Sequence, residues 1–160
     1  MKPEPFSEDL FGWLEKSGAR ILTLSIHTQY CSIHSQKLIA DFLKLANRFN
    51  IKVAIDLSTG FPFEEFNNAC KMIDFLDKQP VETVGVNSFY RVYPDTPLYK
   101  MIKENTNLKK HLINSFADET YLRPAFFNWF DLSLLKQLTK GRKKFRIEGF
   151  ERATNYQRIN

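Results

Sequence analysis

The chain has 160 residues, 43% of them hydrophobic and 26% charged, with a net charge of +5 and a pI near 9.2. This is the composition of an ordinary globular domain, and its lack of any 18-residue apolar run excludes a membrane-spanning helix. Met1-Lys2-Pro3-Glu4-Pro5 lacks the apolar core of a signal peptide, and the two cysteines, Cys31 and Cys70, fit a reducing compartment, so the expected location is the cytoplasm.

Ser7 is placed to cap a first helix, with Glu8 and Asp9 in its first turn and Gly18 where its C-terminal cap belongs. Residues 20–27 read as a strand. Ser35 is the expected start of a second helix, which carries Ile39, Phe42, Leu43, Ala46 and Phe49 at helical spacing. A second strand is expected over 51–59 and a third helix over 62–78, with Phe66, Cys70, Ile73 and Leu76 on its apolar stripe. A third strand over 81–90 and a short helix over 98–104 complete the series. Strands alternating with helices imply right-handed parallel βαβ units. Beyond Asn105 the rhythm stops. The aromatic run Phe126-Phe127-Asn128-Trp129-Phe130, a helix that Asp131 can cap, and the basic cluster Lys140, Arg142, Lys143, Lys144 and Arg146 follow. The chain thus divides into residues 1–105, with three βα units, and a mostly helical, aromatic extension over 106–160, both within one globule.

The three strands share one alternation. Leu22, Leu24 and Ile26 interleave with Thr23, Ser25 and His27; Val53, Ile55 and Leu57 with Ala54, Asp56 and Ser58; Val84 and Val86 with Thr83, Gly85 and Asn87. Parallel strands covered on both faces read as continuous apolar runs. Here one face is small and polar, which fits a sheet whose second face lines a cavity; a sheet with one face in water is the alternative. Ser25, His27, Asp56, Ser58 and Asn87 fall toward the C-terminal ends of the strands, where α/β proteins bind ligands, and form the expected ligand pocket.

Between the second strand and third helix runs Gly60-Phe61-Pro62-Phe63-Glu64. Gly60 suits a tight strand exit, and Pro62 and Glu64 suit the first turn of a helix. The segment resembles the Gly-Phe-Pro-Gly-Glu-Thr motif after the fifth barrel strand of radical SAM enzymes, with Phe63 and Glu65 replacing the second glycine and the threonine. Tyr93-Pro94-Asp95-Thr96-Pro97-Leu98-Tyr99 is similar to that family's Tyr-Pro-Gly-Thr-Pro-Leu-Tyr segment after the sixth strand, with the cobalamin-associated group closest. The resemblance implies an open, partial TIM-type barrel, the C-terminal half of a radical SAM domain. It also implies that Gly60, Phe61 and Pro62 contact the adenine of S-adenosylmethionine, with Glu64 structural.

In that family a [4Fe–4S] cluster held by Cys-x3-Cys-x2-Cys cleaves S-adenosylmethionine to a 5′-deoxyadenosyl radical. This sequence has no such spacing, so no cluster, no metal site and no catalytic residue are expected in this chain. His27-Thr28 also stands where many relatives carry a glutamate followed by Ser or Thr. The expected role is to supply S-adenosylmethionine and substrate-side contacts, with the missing N-terminal half-barrel or a second copy as partner. The alternatives are a non-catalytic binding module and a basic RNA-binding domain. Nucleic acid is the weaker of these, because an apolar helix separates the aromatic and basic clusters.

Overall fold

A computed structural model describes residues 6–113 and 125–148. Strands β1 (Ile21–His27), β2 (Lys52–Ser58) and β3 (Thr83–Asn87) are parallel neighbours in chain order. Their registers place Leu24 beside Ile55 and Ile55 beside Val84. The apolar set faces the helices: Val53, Ile55, Leu57, Val84 and Val86 are buried, whereas Ser25 and Asp56 are exposed. Helices α1 (Glu8–Lys16), α2 (Ile33–Arg48) and α3 (Phe66–Asp77) cover that face through one core containing Phe11, Leu43, Met72, Ile73 and Leu76.

A fourth parallel strand lies at the end of the basic cluster, where no strand was expected. In this strand, β7 (Phe145–Glu148), Phe145 pairs with Val84 of β3 and Ile147 with Val86. The basic residues before it are anchors. Lys144 donates its ammonium to the Asp77 and Gln79 carbonyls at the end of α3, and Arg142 reaches Asp74 at 2.7 Å and Asp77 at 3.6 Å. The sheet runs β1-β2-β3-β7 and remains open; a closed TIM-type barrel is not formed by the described residues.

Between β3 and β7 sits an insertion, residues 90–130, with its own antiparallel sheet. Strands β4 (Tyr90–Val92), β5 (Leu112–Ile113) and β6 (Ala125–Phe127) follow the spatial order β4-β6-β5. Helices α4 (Pro97–Glu104) and α5 (Thr106–Lys109) complete it, and Ile102, Leu108 and Phe127 form its small core. Strand β4 lies before position 105 and pairs with β6 after it, so this unit straddles the expected division of the chain. Helix α6 (Leu132–Thr139) then leads back to β7. The expected mostly helical extension therefore contributes one longer helix and three strands among the described residues. No helix among these residues is long and apolar enough to cross a membrane.

Two helix starts differ from expectation. Ser32 caps α2 and Ser35 is the third residue of its capping box, because the Ser32 hydroxyl accepts from Ser35 N–H while Ser35 Oγ accepts from Ser32 N–H. Helix α3 begins at Phe66, not Pro62, because a separate turn intervenes.

Candidate functional site

That turn spans residues 61–64. Pro62 occupies its second position, Phe63 its third with φ of 66°, and Glu64 N–H donates to the Phe61 carbonyl at 3.0 Å, which is a type II turn. The third position of such a turn favours glycine, the residue the resembled motif carries there. Phe63 accepts the left-handed backbone and lays its ring edge-on to Trp129 at 5.7 Å.

Glu64 holds the turn from within rather than complementing the α3 dipole. Its side chain folds back so that one carboxylate oxygen accepts the N–H groups of Gly60 at 2.8 Å and Phe61 at 3.0 Å, while the other accepts the Thr28 hydroxyl. Burial pushes the Glu64 carboxyl above the usual range, against the opposing pull of those three hydrogen bonds. Gly60 is fixed twice over. Its φ is 81°, and a Cβ there would stand 3.2 Å from the Phe130 ring.

The aromatic run docks on this turn. Trp129 donates its indole N–H to the Glu64 carbonyl at 3.0 Å, Phe130 packs against Gly60 and Phe66, and Phe127 fills the insertion core. Strand β7, not the aromatics, takes the open edge of β3.

Across the carboxyl ends of the strands, the polar face holds Ser25, Asp56 and Gly85 in one row, continued by Arg146. His27, Ser58, Asn87 and Glu148 form the next row. The bare Gly85 leaves room for charge: a Cβ there would stand 2.8 Å from the Glu148 carboxylate, which is also 3.2 Å from the Arg146 guanidinium. Two basic residues beside the starts of these strands are engaged elsewhere: Lys52 binds Glu82 at 2.9 Å, and Arg20 reaches the Ala19 carbonyl at 3.4 Å. Asn87 turns its side-chain oxygen onto Phe89 N–H at 2.9 Å. His27 is half-buried, and that burial holds its pKa below the ordinary value, against Asp56, which raises it. The neutral ring lies nearly parallel to Tyr90, with centroids 6.3 Å apart, and edge-on to Tyr30; Phe61 meets Tyr90 edge-on at 5.6 Å. The expected pocket residues thus share one face, and Phe61 joins its rim through Tyr90. Pro62 is buried in the turn.

Four residues of this rim escaped the sequence reading. Tyr90 carries no local signal, since its place depends on how the chain turns back after β3, and Tyr30 sits in a three-residue helical turn after β1, too short to show a period. Arg146 and Glu148 had one: Phe145-Arg146-Ile147-Glu148 alternates like the other strands.

One residue beyond the paired positions, Thr28, Thr59 and Ser88 are all fully buried. Thr28 is satisfied by Glu64, but the Thr59 and Ser88 hydroxyls, with His27 Nδ1 and the Tyr90 hydroxyl, have no hydrogen-bond partner among the described residues. Unpartnered buried polar atoms at the carboxyl end of a parallel sheet are what a polar ligand or ordered water would satisfy.

An iron–sulfur cluster does not fit this chain. Cys31 and Cys70 are its only cysteines, both half-buried free thiols, and burial pushes the Cys70 thiol up, away from the thiolate a metal needs. Among the described residues no group of three or more His, Cys, Asp or Glu is placed to hold a metal ion. The sequence matches no family model and no curated protein.

Proposed function

We propose that this chain is the ligand-binding half of a radical SAM-type barrel, presenting the adenosine-side turn and the polar wall of a cavity to S-adenosylmethionine or a related nucleoside. The observation that carries this reading is the asymmetry of the sheet: one face is sealed by helices, while the other displays Ser25, His27, Asp56, Ser58 and Asn87 below a rim of Phe61, Tyr30 and Tyr90. The type II turn supports it, since Phe63 adopts the conformation for which the resembled motif uses glycine. In this role Phe61 and Tyr90 offer aromatic surface to a planar base, and Asp56 offers an acceptor for ribose or amino groups. Radical chemistry would require a second half that supplies the cluster cysteines.

A second reading, a binding module without catalysis, is favoured by one detail: Glu64 already occupies the N–H groups of Gly60 and Phe61, so neither is free to bind ligand. Isothermal titration with S-adenosylmethionine and with adenosine separates the readings. The proposal expects saturable binding of both, weakened at least about tenfold by Phe61→Ala or Asp56→Ala, a loss of about 1.4 kcal/mol. Absence of saturable binding by the parent chain would overturn it and leave the binding-module reading.

A further inference from the structure

The burial of the parallel sheet is uneven along one direction. Helix-facing residues of the central strands are sealed, with Ile55 2% exposed and Leu57, Val84 and Val86 at 0%. On the outer strands their counterparts Leu22, Leu24 and Ile26 of β1, and Phe145 and Ile147 of β7, are only partly buried although they belong to the same core. On the polar face Ile21 is 55% exposed. A narrow apolar cleft of about 60 Å³ opens at the β1 margin, lined by Leu24, Ile26, Tyr30 and Ile39 among others. Among the described residues β1 and β7 each pair on one side only, leaving two edges of the kind natural proteins cover.

We propose that a second copy of this chain closes the sheet, with β1 of each copy pairing with β7 of the other. Three features select this occupant. All four strands are parallel, so a two-fold axis running along them keeps every new pair parallel and uses up both free edges. Four strands from each copy make the eight at which a parallel βα sheet closes into a barrel. Each strand also has its own helix immediately before it in the layer, as α1β1, α2β2, α3β3 and α6β7, so two copies supply one helix per strand around the whole ring. Helix α1 packs on α2 through Phe11 against Phe42 and Phe49, and α6 lies toward α3, where Leu135 joins Ala69. The helix row thus follows the strand row.

Closure turns the exposed polar face into a lumen lined twice over by Ser25, His27, Asp56 and Asn87, so the cavity is incomplete in one copy. It buries Ile21 at the amino end of the ring, where barrel interiors are packed. This assembly stands independently of which ligand the cavity takes, but it occupies both edges that a cluster-bearing second half would need, so closure by a second copy excludes radical chemistry in the same ring.

Sedimentation equilibrium of the full chain tests it directly. The expected mass is twice the 18.8 kDa of one chain, with a melting temperature that rises with concentration. Ile21→Lys is expected to give a monomer with unchanged far-ultraviolet circular dichroism; if that variant misfolds, the milder Ile21→Ser with weakened association serves. In a Cys31→Ser, Cys70→Ser background, a short thiol cross-linker is expected to join two chains carrying both Thr23→Cys and Arg146→Cys, and neither single variant. A monomer at every concentration, a dimer unaffected by either Ile21 variant, or cross-linking of the Thr23→Cys variant alone, which signals β1 against β1, would overturn the proposal.

Discussion

Among the described residues, the parallel layer rests on a cluster of fifteen buried residues, from Phe11 to Val86, whereas the cluster of the 90–130 insertion has five: Val92, Ile102, Leu108, Ala125 and Phe127. Five buried residues under strands of two and three residues are a small core beside that of the parallel layer. The insertion is stitched to the larger layer by Trp129 on the Glu64 carbonyl and by Phe130 on Gly60 and Phe66. The smaller unit therefore borrows order from the larger one, and the turn at 61–64 is where the loan is made.

The largest test of that dependence truncates each core in turn. Leu57→Ala, in the centre of the parallel layer, is expected to cost about 2–5 kcal/mol, and Phe127→Ala, at the centre of the insertion, about 3–5 kcal/mol. Both variants are expected to melt in one transition by calorimetry. Two separated transitions for Phe127→Ala would show the insertion to be an independent unit.

A smaller effect comes from Glu64, whose folded-state pKa is raised above the unfolded value by burial. The folded chain then holds its proton more tightly than the unfolded chain. Its contribution to stability is full below the unfolded pKa of about 4.5 and is lost as pH rises through the higher folded value. Glu64→Gln retains an oxygen for Gly60 and Phe61 and an amide to face Thr28, and it cannot titrate. Urea denaturation between pH 4 and pH 7 is expected to show a stability component that declines in the parent and is absent from the variant. An identical slope in both would remove Glu64 as its source.

The smallest effect sets two terms against each other at Phe63. A non-glycine residue in the left-handed region costs about 1–2 kcal/mol, and an aromatic pair contributes about 0.5–1.5 kcal/mol. Phe63→Gly is therefore expected to stabilise the chain slightly, by about 0.5 kcal/mol, in chemical denaturation. A loss of more than about 1 kcal/mol would show that the Trp129 contact outweighs the backbone strain.

The same contrast explains what was legible beforehand. Strands β1, β2 and β3 declared themselves because Leu24, Ile55 and Val86 alternate with Ser25, Asp56 and Asn87, a period that survives only when one face is sealed and the other is not. Strand β7 was obscured by Lys143, Lys144 and Arg146, whose charges mimic a helix end; its four-residue alternation is short, and pairing with β3 identifies Phe145 and Ile147 as its inward residues. Strands β4, β5 and β6 are too short to show a period at all. At the site, the shared polar face was readable from parity. The rings of Tyr30 and Tyr90 beside His27 were not: Tyr30 comes from the three-residue turn just after β1 and Tyr90 from the start of the insertion, and neither turn is marked by a local pattern. The late start of α3 at Phe66 was masked by Pro62 and Glu64, good helix starters used here for a turn.

Strand β7 enters the sheet after a long detour. Val84 and Phe145 are neighbours in space but belong to opposite ends of the described chain's second half, with the whole insertion and α6 between them. Closing so large a loop costs entropy before its contacts repay it, so β1, β2 and β3 can assemble from near neighbours while β7 must wait. Folding is thus expected to be ordered in time, with the three near-neighbour strands first and β7, which completes the sheet, last. Reversal of that order makes β7 the first element to come away, and its amides the quickest of the parallel layer to exchange with solvent.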